Sequence, residues 1–356
     1  MTRKDDRGAR NVRIGERLVG DQQPVLIIAE AGVNHDGSLE KALRLVDVAA
    51  DAGADVVKFQ MFRAAELVTA TAATAAYQKT AGACSQLEML TKLELSDGDF
   101  AHIRLHCQRR GIEFLATPFG PRDVDRLVGL DVRAIKIASP DLNNPPLLRR
   151  AADTGLPLLV STGASTAEEI TASVARLRDW GAEPRLILLH CISGYPAPLE
   201  VANLRAIGAL RRAHGVPCGF SDHTLSTQIA GWAAAAGACV LEKHFTLDRA
   251  AAGPDHAMSL ASAQLAEYVA AAREVEVALG SGEIGLAAVE ADVRAVARKS
   301  VVAATRIPAN TVLTAQLLTI KRPSGGIEPD QLDCVLGRRA AAEIPADTVL
   351  TWDLVR

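Results

Sequence analysis

The sequence predicts an α/β protein, a closed (β/α)8 barrel of the TIM type followed by a small β-rich domain, and three observations carry that reading. Eight short runs of β-branched and apolar residues recur in the order PVLIIAE, ADVVKFQ, IEFLATP, AIKIAS, PLLVST, LILLHC, CGFSD and CVLEKHF. Longer Ala-, Leu- and Arg-rich stretches with helical spacing separate most of them, as a βα repeat requires. After about residue 285 the alternation stops and a shorter, β-like tail begins. Near-continuous apolar strands alternating with helices indicate a parallel sheet covered on its outer face, and a count of eight favours closure over an open sheet.

Taken in order, residues 1–285 form the barrel domain with a short polar extension, MTRKDDRGARNVRIG, in front. The first strand runs into EAGVNHDGS, so the GxGxxG loop expected of an open, dinucleotide-binding sheet is missing. SLEKALRLVDVAADAG then reads as a helix that opens on the N-cap Ser38 and stops at Gly53. Residues 286–298 read as a linker and 299–356 as the tail domain. Inside the tail, IPANTVLTAQLL (307–318) matches IPADTVLTWDLV (344–355) almost position for position, which suggests a pseudo-symmetric module of two strand-turn-strand units. KRPSGGIEP, a Gly/Pro-rich loop with two cations, sits between the copies.

Composition excludes several classes. With 49% hydrophobic residues, 23% charged and a net charge of -3, the chain has no electrostatic footprint for nucleic acid or a membrane surface. No apolar segment approaches the ~20 residues that span a bilayer, and the leader lacks the apolar centre of a signal peptide, so a cytoplasmic protein is expected. Cys84, Cys107, Cys191, Cys218, Cys239 and Cys334 show no CxxC spacing, which argues against structural zinc or a disulfide framework and for mostly buried small hydrophobes.

The chemistry gathers at the strand ends. In order they offer Glu30, Lys58 with Gln60, Thr117, Lys136 with Ser139, Ser161 with Thr162, His190, Ser221-Asp222-His223, and Glu242-Lys243-His244. A closed barrel brings all these ends to one face. Strand alternation points Glu242 with His244, Lys58 with Gln60, and Ser221 with His223 inward, and turns Lys243 and Asp222 outward. Two inward lysines among hydroxyls look like a cradle for phosphate or carboxylate, against the plainer alternative of a structural ion pair inside the barrel. His223 and His244 end adjacent strands and could share a divalent metal, although satisfied polar residues would read the same way. His102, His106 and His214 are expected to be solvated.

IIAEAGVNHDGS, DVVKFQ, ATPF, IKIAS, LVSTG, LLHC with YPAP, GFSDHT and LEKHF followed by GPDH resemble, in order, the motifs of the sialic acid synthase family. The tail resembles that family's antifreeze-like (SAF, β-clip) domain, and the likeness runs from about residue 24 to the end. The resemblance implies a metal-dependent condensation of phosphoenolpyruvate with a 2-acetamido aldose, usually N-acetylmannosamine, to a nine-carbon 2-keto acid and phosphate. It implies that Lys58, Lys136, Ser139, Ser161 and Ser221 hold phosphoenolpyruvate, with Gln60, Thr117 and Tyr195 on the same substrate pocket. By the same likeness His223 and His244 bind the metal, manganese foremost with magnesium or cobalt as alternatives, and Glu30, Glu242 and Asp255 face the sugar and the metal. Arg322 is implied to reach the acetamido group from the partner subunit of a domain-swapped homodimer.

Two departures bear on the sugar. Family members often carry an asparagine near the stretch that here reads YQKTAGACSQLEML, yet residues 61–90 contain none. Gly194 stands where an asparagine commonly precedes the tyrosine of the turn. A legionaminate-type or other modified hexosamine, phosphorylated or not, therefore stands beside N-acetylmannosamine as acceptor. Two other classes are a metal-free Schiff-base aldolase using Lys136 and a non-catalytic sugar-binding protein; the full polar inventory at the strand ends argues against the last.

Overall fold

The computed structural model describes residues 10–70, 72 and 85–356, so Cys84 and the stretch YQKTAGAC lie outside the described residues. The chain divides into two compact units, Met1–Gly280 and Ser281–Arg356.

The first unit opens with an antiparallel hairpin of β1 (Asn11–Ile14) and β2 (Arg17–Gly20). Eight parallel strands follow: β3 (Leu26–Gly32), β4 (Val56–Met61), β5 (Glu113–Pro118), β6 (Ile135–Ile137), β7 (Leu158–Ser161), β8 (Leu186–Cys191), β9 (Cys218–Asp222) and β10 (Val240–Thr246). They are joined in the order β5-β4-β3-β10-β9-β8-β7-β6, and the end strands β5 and β6 lie against each other to complete the barrel. A two-residue β11 (Leu260–Ala261) adds to the end of β10.

The alternation along each strand explains why its sequence turns from apolar to polar. In β3, Ile27 and Ala29 belong to the core under the helices, while Leu26 and Ile28 belong to a separate cluster with Val56, Leu115, Leu159, Ile187, Leu189 and Val240. The inward positions are thus apolar low in the barrel and polar two residues further on, at Glu30, Lys58, Thr117, Ser161 and Glu242. Val12, Ile14 and Val19 of the hairpin join the inner cluster, so the extension that reads as polar supplies the apolar plug at the N-terminal end of the barrel.

The covering helices form where caps and periodicity place them. Leu39–Asp51 starts where the Ser38 side chain accepts from the Lys41 amide, and it buries Ala42, Leu45, Val46 and Ala49, an i, i+3, i+4, i+7 stripe. Asp97–Arg110 opens on a capping box of Ser96 and Asp99 and ends at Gly111, whose φ of 67° an L side chain rarely adopts. Its His106 donates from Nε2 to Asp47 Oδ1 at 2.8 Å and is half-buried, which corrects the expectation of a solvated ring. Among the described residues no helix is long and apolar enough to cross a membrane.

The second unit has its own core, including Val301, Ile307, Leu313, Val335, Ile344 and Leu350. Its strands β12 (Ser300–Ala303) and β13 (Leu318–Lys321) pair antiparallel. The two repeats meet through reciprocal backbone bonds, Ile307 to Ile344 at 2.8 Å and back at 2.9 Å. Asn310 and Asp347 occupy equivalent left-handed positions, and each copy ends in a 3-10 turn, Ala315–Leu317 and Trp352–Leu354. Residues 286–298 hold a short helix, Ala291–Ala297.

Candidate active site

At the C-terminal mouth two cavities adjoin. The inner one, about 80 Å³, is lined by Glu30, Lys58, Lys136, Ser139, Ser161, Ser221, His223, Glu242 and His244 among others. The outer one, about 350 Å³, shares Gln60, Phe119, Tyr195 and His244 with it and continues to Asp141, Asp255 and an apolar wall.

The inward lysines are not isolated cations. Lys58 Nζ lies 2.6 Å from Glu30 and 3.7 Å from Glu242, and it donates to Thr117 Oγ1 at 2.8 Å. Lys136 Nζ lies 3.7 Å from the other oxygen of Glu242 and donates to the Ile137 carbonyl at 3.0 Å. All four charged groups are buried, so each environment is decided by competition between burial and its neighbours. Burial pushes the Glu30 carboxyl up to about 7 against the pull of Lys58. Glu242 is buried as deeply, yet Lys136, Lys58 and the Ser221 hydroxyl together hold its carboxyl below the usual range. Burial works to lower Lys58 as well, but Glu242 and Glu30 raise it; Lys136, with one carboxylate nearby, is lowered by burial. The two glutamates are therefore driven apart, one toward the acid and one toward the anion, the pattern that separates a proton donor from a charged partner.

The hydroxyls complete the inner cavity. Ser221 donates to Glu242 at 2.9 Å, and Ser139 Oγ accepts from the Gly163 amide at 2.9 Å. The Ser161 hydroxyl is buried without a partner among the described residues, a donor turned into the cavity with nothing to bind. Gly163 is dictated by closeness, because a Cβ there would come within 2.4 Å of Ser193 Oγ and 2.9 Å of Ser139 Oγ.

His223 and His244 face each other with ring centroids 5.6 Å apart, and Tyr195 lies 4.3 Å from the His223 ring. His223 Nδ1 donates to the Ile192 carbonyl at 2.7 Å, so Nε2 is the atom a metal would take; against burial, Cys191 and that carbonyl raise the ring's pKa, so metal binding there would displace a proton. His244 Nδ1 is buried without a hydrogen bond among the described residues, 3.9 Å from Asp255. Burial, then the charges of His223, Lys58, Lys243 and Lys136, hold His244 well below the ordinary range and hence neutral, as metal ligation requires. Burial lifts Asp255 to about 6. Two imidazoles with committed or orphaned nitrogens and an adjacent carboxylate fit a divalent cation, although no group of three ligands is already gathered among the described residues. Gly32, with φ 54°, sits where a Cβ would come 3.1 Å from Asp255 and 3.4 Å from His244, so it keeps this corner open.

The predicted catalytic, substrate and metal residues of the barrel domain thus line one mouth, whereas Thr162 and His190 line neither cavity and bond the Leu189 and Ala202 carbonyls; Lys243 and Asp222 point away as alternation requires. They pair with each other at 2.8 Å under the helix Ser262–Leu279, where Lys243 lies 5.8 Å from the Tyr268 ring. Arg322 belongs to the second unit, exposed just past β13. Sequence reasoning missed three groups. Cys191 is not an inert filler: its thiol is buried 3.7 Å from His223 Nδ1, and His223, Ser139 and Lys136 hold it below its usual range against burial. Asn34 bonds the Phe245 carbonyl and Ser259, and Asp36 bonds His256, which bonds Thr246, so the loop after β3 is fastened to the loop that carries Asp255. The quoted motifs VNHDG and GPDH contain these residues, but only the fold shows that they meet.

A model of the NeuB family matches residues 45–284, and a SAF domain model matches residues 298–356. The chain belongs to the NeuB family of sialic acid synthases. It is 37% identical to the N,N'-diacetyllegionaminic acid synthase of Legionella pneumophila, over 94% of this chain and 95% of that one. Human N-acetylneuraminate-9-phosphate synthase is 34% identical over 95% of each chain. The crystal structure of a sialic acid synthetase from Leptospira borgpetersenii, solved with citrate, matches with a TM-score of 0.72 at 35% identity, over 80% of this chain and 95% of that one. These relatives are named synthases, and this family member is an enzyme of their class.

Proposed function

We propose that the enzyme condenses phosphoenolpyruvate with a 2-acetamido aldose, N-acetylmannosamine or a modified hexosamine, to a nine-carbon 2-keto acid and phosphate. The observation that carries this reading is the meeting, in one cavity, of two lysines and a serine hydroxyl without a partner among the described residues with two glutamates whose pKa values are shifted in opposite directions. Phosphate and carboxylate of phosphoenolpyruvate would lie between Lys58, Lys136, Ser139, Ser161 and Ser221, so part of the rate comes from positioning. His223 and His244 would hold a divalent cation, manganese foremost, which when bound polarises the acceptor aldehyde as a Lewis acid. As C3 forms its bond to the aldehyde carbon, Glu30 in its acid form gives its proton to the developing alkoxide. Water adds to the cationic C2 and yields a proton to the ionised Glu242. The tetrahedral intermediate then breaks its C2–O bond to phosphate, and the C2 hydroxyl gives its proton to the leaving phosphate as the keto group forms.

The test is phosphate release from phosphoenolpyruvate against a panel of 2-acetamido aldoses. Chelator should stop it, and borohydride with pyruvate should leave the enzyme unmodified; covalent trapping at Lys136 and indifference to chelator would instead identify a Schiff-base aldolase.

The pH profile follows from Glu30. Because its acid form is the active one and its carboxyl sits near 7, the proton donor is lost as pH rises through that value. We expect kcat/KM to fall on an alkaline limb near pH 7, and the limb to vanish in Glu30→Gln at a lower plateau. A limb unchanged in that variant removes Glu30 from the proton transfer.

Arg322 belongs to a different unit from the barrel, and we propose that it serves the acetamido group in a partner's site, within a domain-swapped homodimer. Its planar donor fork suits an amide carbonyl and keeps its charge. Mixing Arg322→Ala chains with Lys136→Ala chains should restore part of the activity that neither parent shows. No recovery despite proven subunit exchange would end the shared-site reading.

A further inference from the structure

The two imidazoles read above as metal ligands are held in different ways. His244 lies within β10, where its backbone pairs with Glu30 of β3. His223 is the first residue beyond β9, whose pairing with β10 ends at Asp222 opposite Lys243. Past that point side chains take over from the ladder. The Thr224 amide donates to Asp222 Oδ1 at 2.8 Å, while Lys243 Nζ donates to Asp222 Oδ2 at 2.8 Å and to the Thr224 carbonyl. One ammonium on the strand that carries His244 thus grips the residues on both sides of His223. His223 itself bonds the loop after β8, its ring to the Ile192 carbonyl and its own carbonyl from the Ala197 amide at 2.9 Å. Among the described residues, the Lys243 bonds are therefore what ties the segment past the ladder to the strand of His244.

Stability does not account for this ion pair. Lys243 and Asp222 are buried, and their outward neighbours Leu241, Phe245 and Phe220 belong to the apolar core under the helices. Taking two charges out of water costs about as much as their attraction returns, and apolar side chains of similar volume serve such a place as well or better. What apolar contacts lack is direction. An ammonium bonded to one carboxylate oxygen and one carbonyl, with the Tyr268 ring 5.8 Å away, fixes where the backbone at 222 and 224 can lie.

We propose that Lys243 and Asp222 are positioning residues for the divalent cation: they fix the segment Asp222–Thr224, hold the His223 ring at its 5.6 Å from His244, and so set metal affinity without touching the metal. The inference rests on the reading of His223 and His244 as metal ligands. Ser221 and Glu242 stand inside the ladder and share a hydrogen bond of 2.9 Å, so the phosphoenolpyruvate cradle should not depend on the clamp.

The experiment titrates manganese by calorimetry, and separately phosphoenolpyruvate in the presence of chelator, into the parent and into Lys243→Met/Asp222→Asn. Methionine keeps the length of the lysine stem and asparagine keeps an oxygen for the Thr224 amide, so both charges leave together and neither is stranded. We expect manganese affinity to fall about 10- to 100-fold, as when the partners that orient a ligating histidine are removed, with phosphoenolpyruvate affinity and melting temperature unchanged. Turnover should recover at saturating manganese, a loss in KM for the metal and not in kcat. Parental manganese affinity in the folded double variant overturns the inference and leaves the metal reading standing. A parallel loss of phosphoenolpyruvate affinity also overturns it, because that is a general loosening of the mouth. A parent that binds no manganese, magnesium or cobalt defeats the metal reading and this inference with it. Should the double variant fail to fold, Asp222→Asn alone carries the same titrations, with a loss of about 10-fold in manganese affinity expected. Unfolding of that variant too makes the pair a condition of the fold and overturns its positioning role.

Discussion

Replacing His244 by alanine is expected to lower turnover by about three decades or more and to cut divalent metal affinity in parallel. The size follows from what a metal supplies to carbonyl addition, several kcal/mol of charge stabilisation in the transition state, at about 1.4 kcal/mol per decade. His244 suits the role because burial and the neighbouring cations keep it neutral, and its Nδ1 makes no hydrogen bond among the described residues. Alanine removes one of two imidazoles and leaves a space that opens on the two cavities the ring lines and that water can fill, so the barrel should survive. Metal content after gel filtration, a titrated manganese affinity and the rate measure the effect. Full occupancy with parental turnover would remove His244 from the metal site.

What the sequence discloses follows from how strongly physics constrains each segment. Strands buried on both faces must be apolar almost throughout, so β3 to β10 stand out, and their polar ends mark the mouth. Period-2 alternation in the sequence alone separates Glu242 and His244 from Lys243, and the buried Lys243–Asp222 pair behind the strands shows why an outward charge is tolerable there. The hairpin leaves little trace in the sequence, since Val12, Ile14 and Val19 are three apolar residues among arginines, and their burial depends on the open end of a barrel that periodicity cannot describe. Electrostatics is the least legible part. Nothing in the strings IAE and LEKH distinguishes Glu30 from Glu242. Their difference arises because Glu242 faces both lysines and a serine hydroxyl while Glu30 bonds one lysine. Cys191 is a similar case, a thiol indistinguishable in sequence from Cys218 until His223 is brought beside it.

The lysine cradle leads to the second large expectation. Lys136→Ala should weaken phosphoenolpyruvate binding by about one to two decades, because a charge-assisted hydrogen bond contributes about 1.5 to 3 kcal/mol. The loss has two parts that the geometry separates. Phosphoenolpyruvate forfeits a cation, and Glu242, which lies 3.7 Å from both lysines, is left with Lys58 alone and so presents more uncompensated negative charge to an arriving anion. Glu242→Gln added to Lys136→Ala should therefore recover part of the binding, so that the double variant binds better than the sum of the two single effects predicts. Glu242→Gln alone should raise affinity or leave it level while lowering the rate, since it relieves repulsion and removes the carboxylate that takes the proton from water. Calorimetry on the four proteins of this cycle, with phosphoenolpyruvate and no acceptor, reads binding free of turnover. Unchanged binding in Lys136→Ala would rule out its place in the cradle. A loss that Glu242→Gln does nothing to relieve would mean that Lys136 acts on the ligand directly and that its pairing with Glu242 contributes nothing to binding.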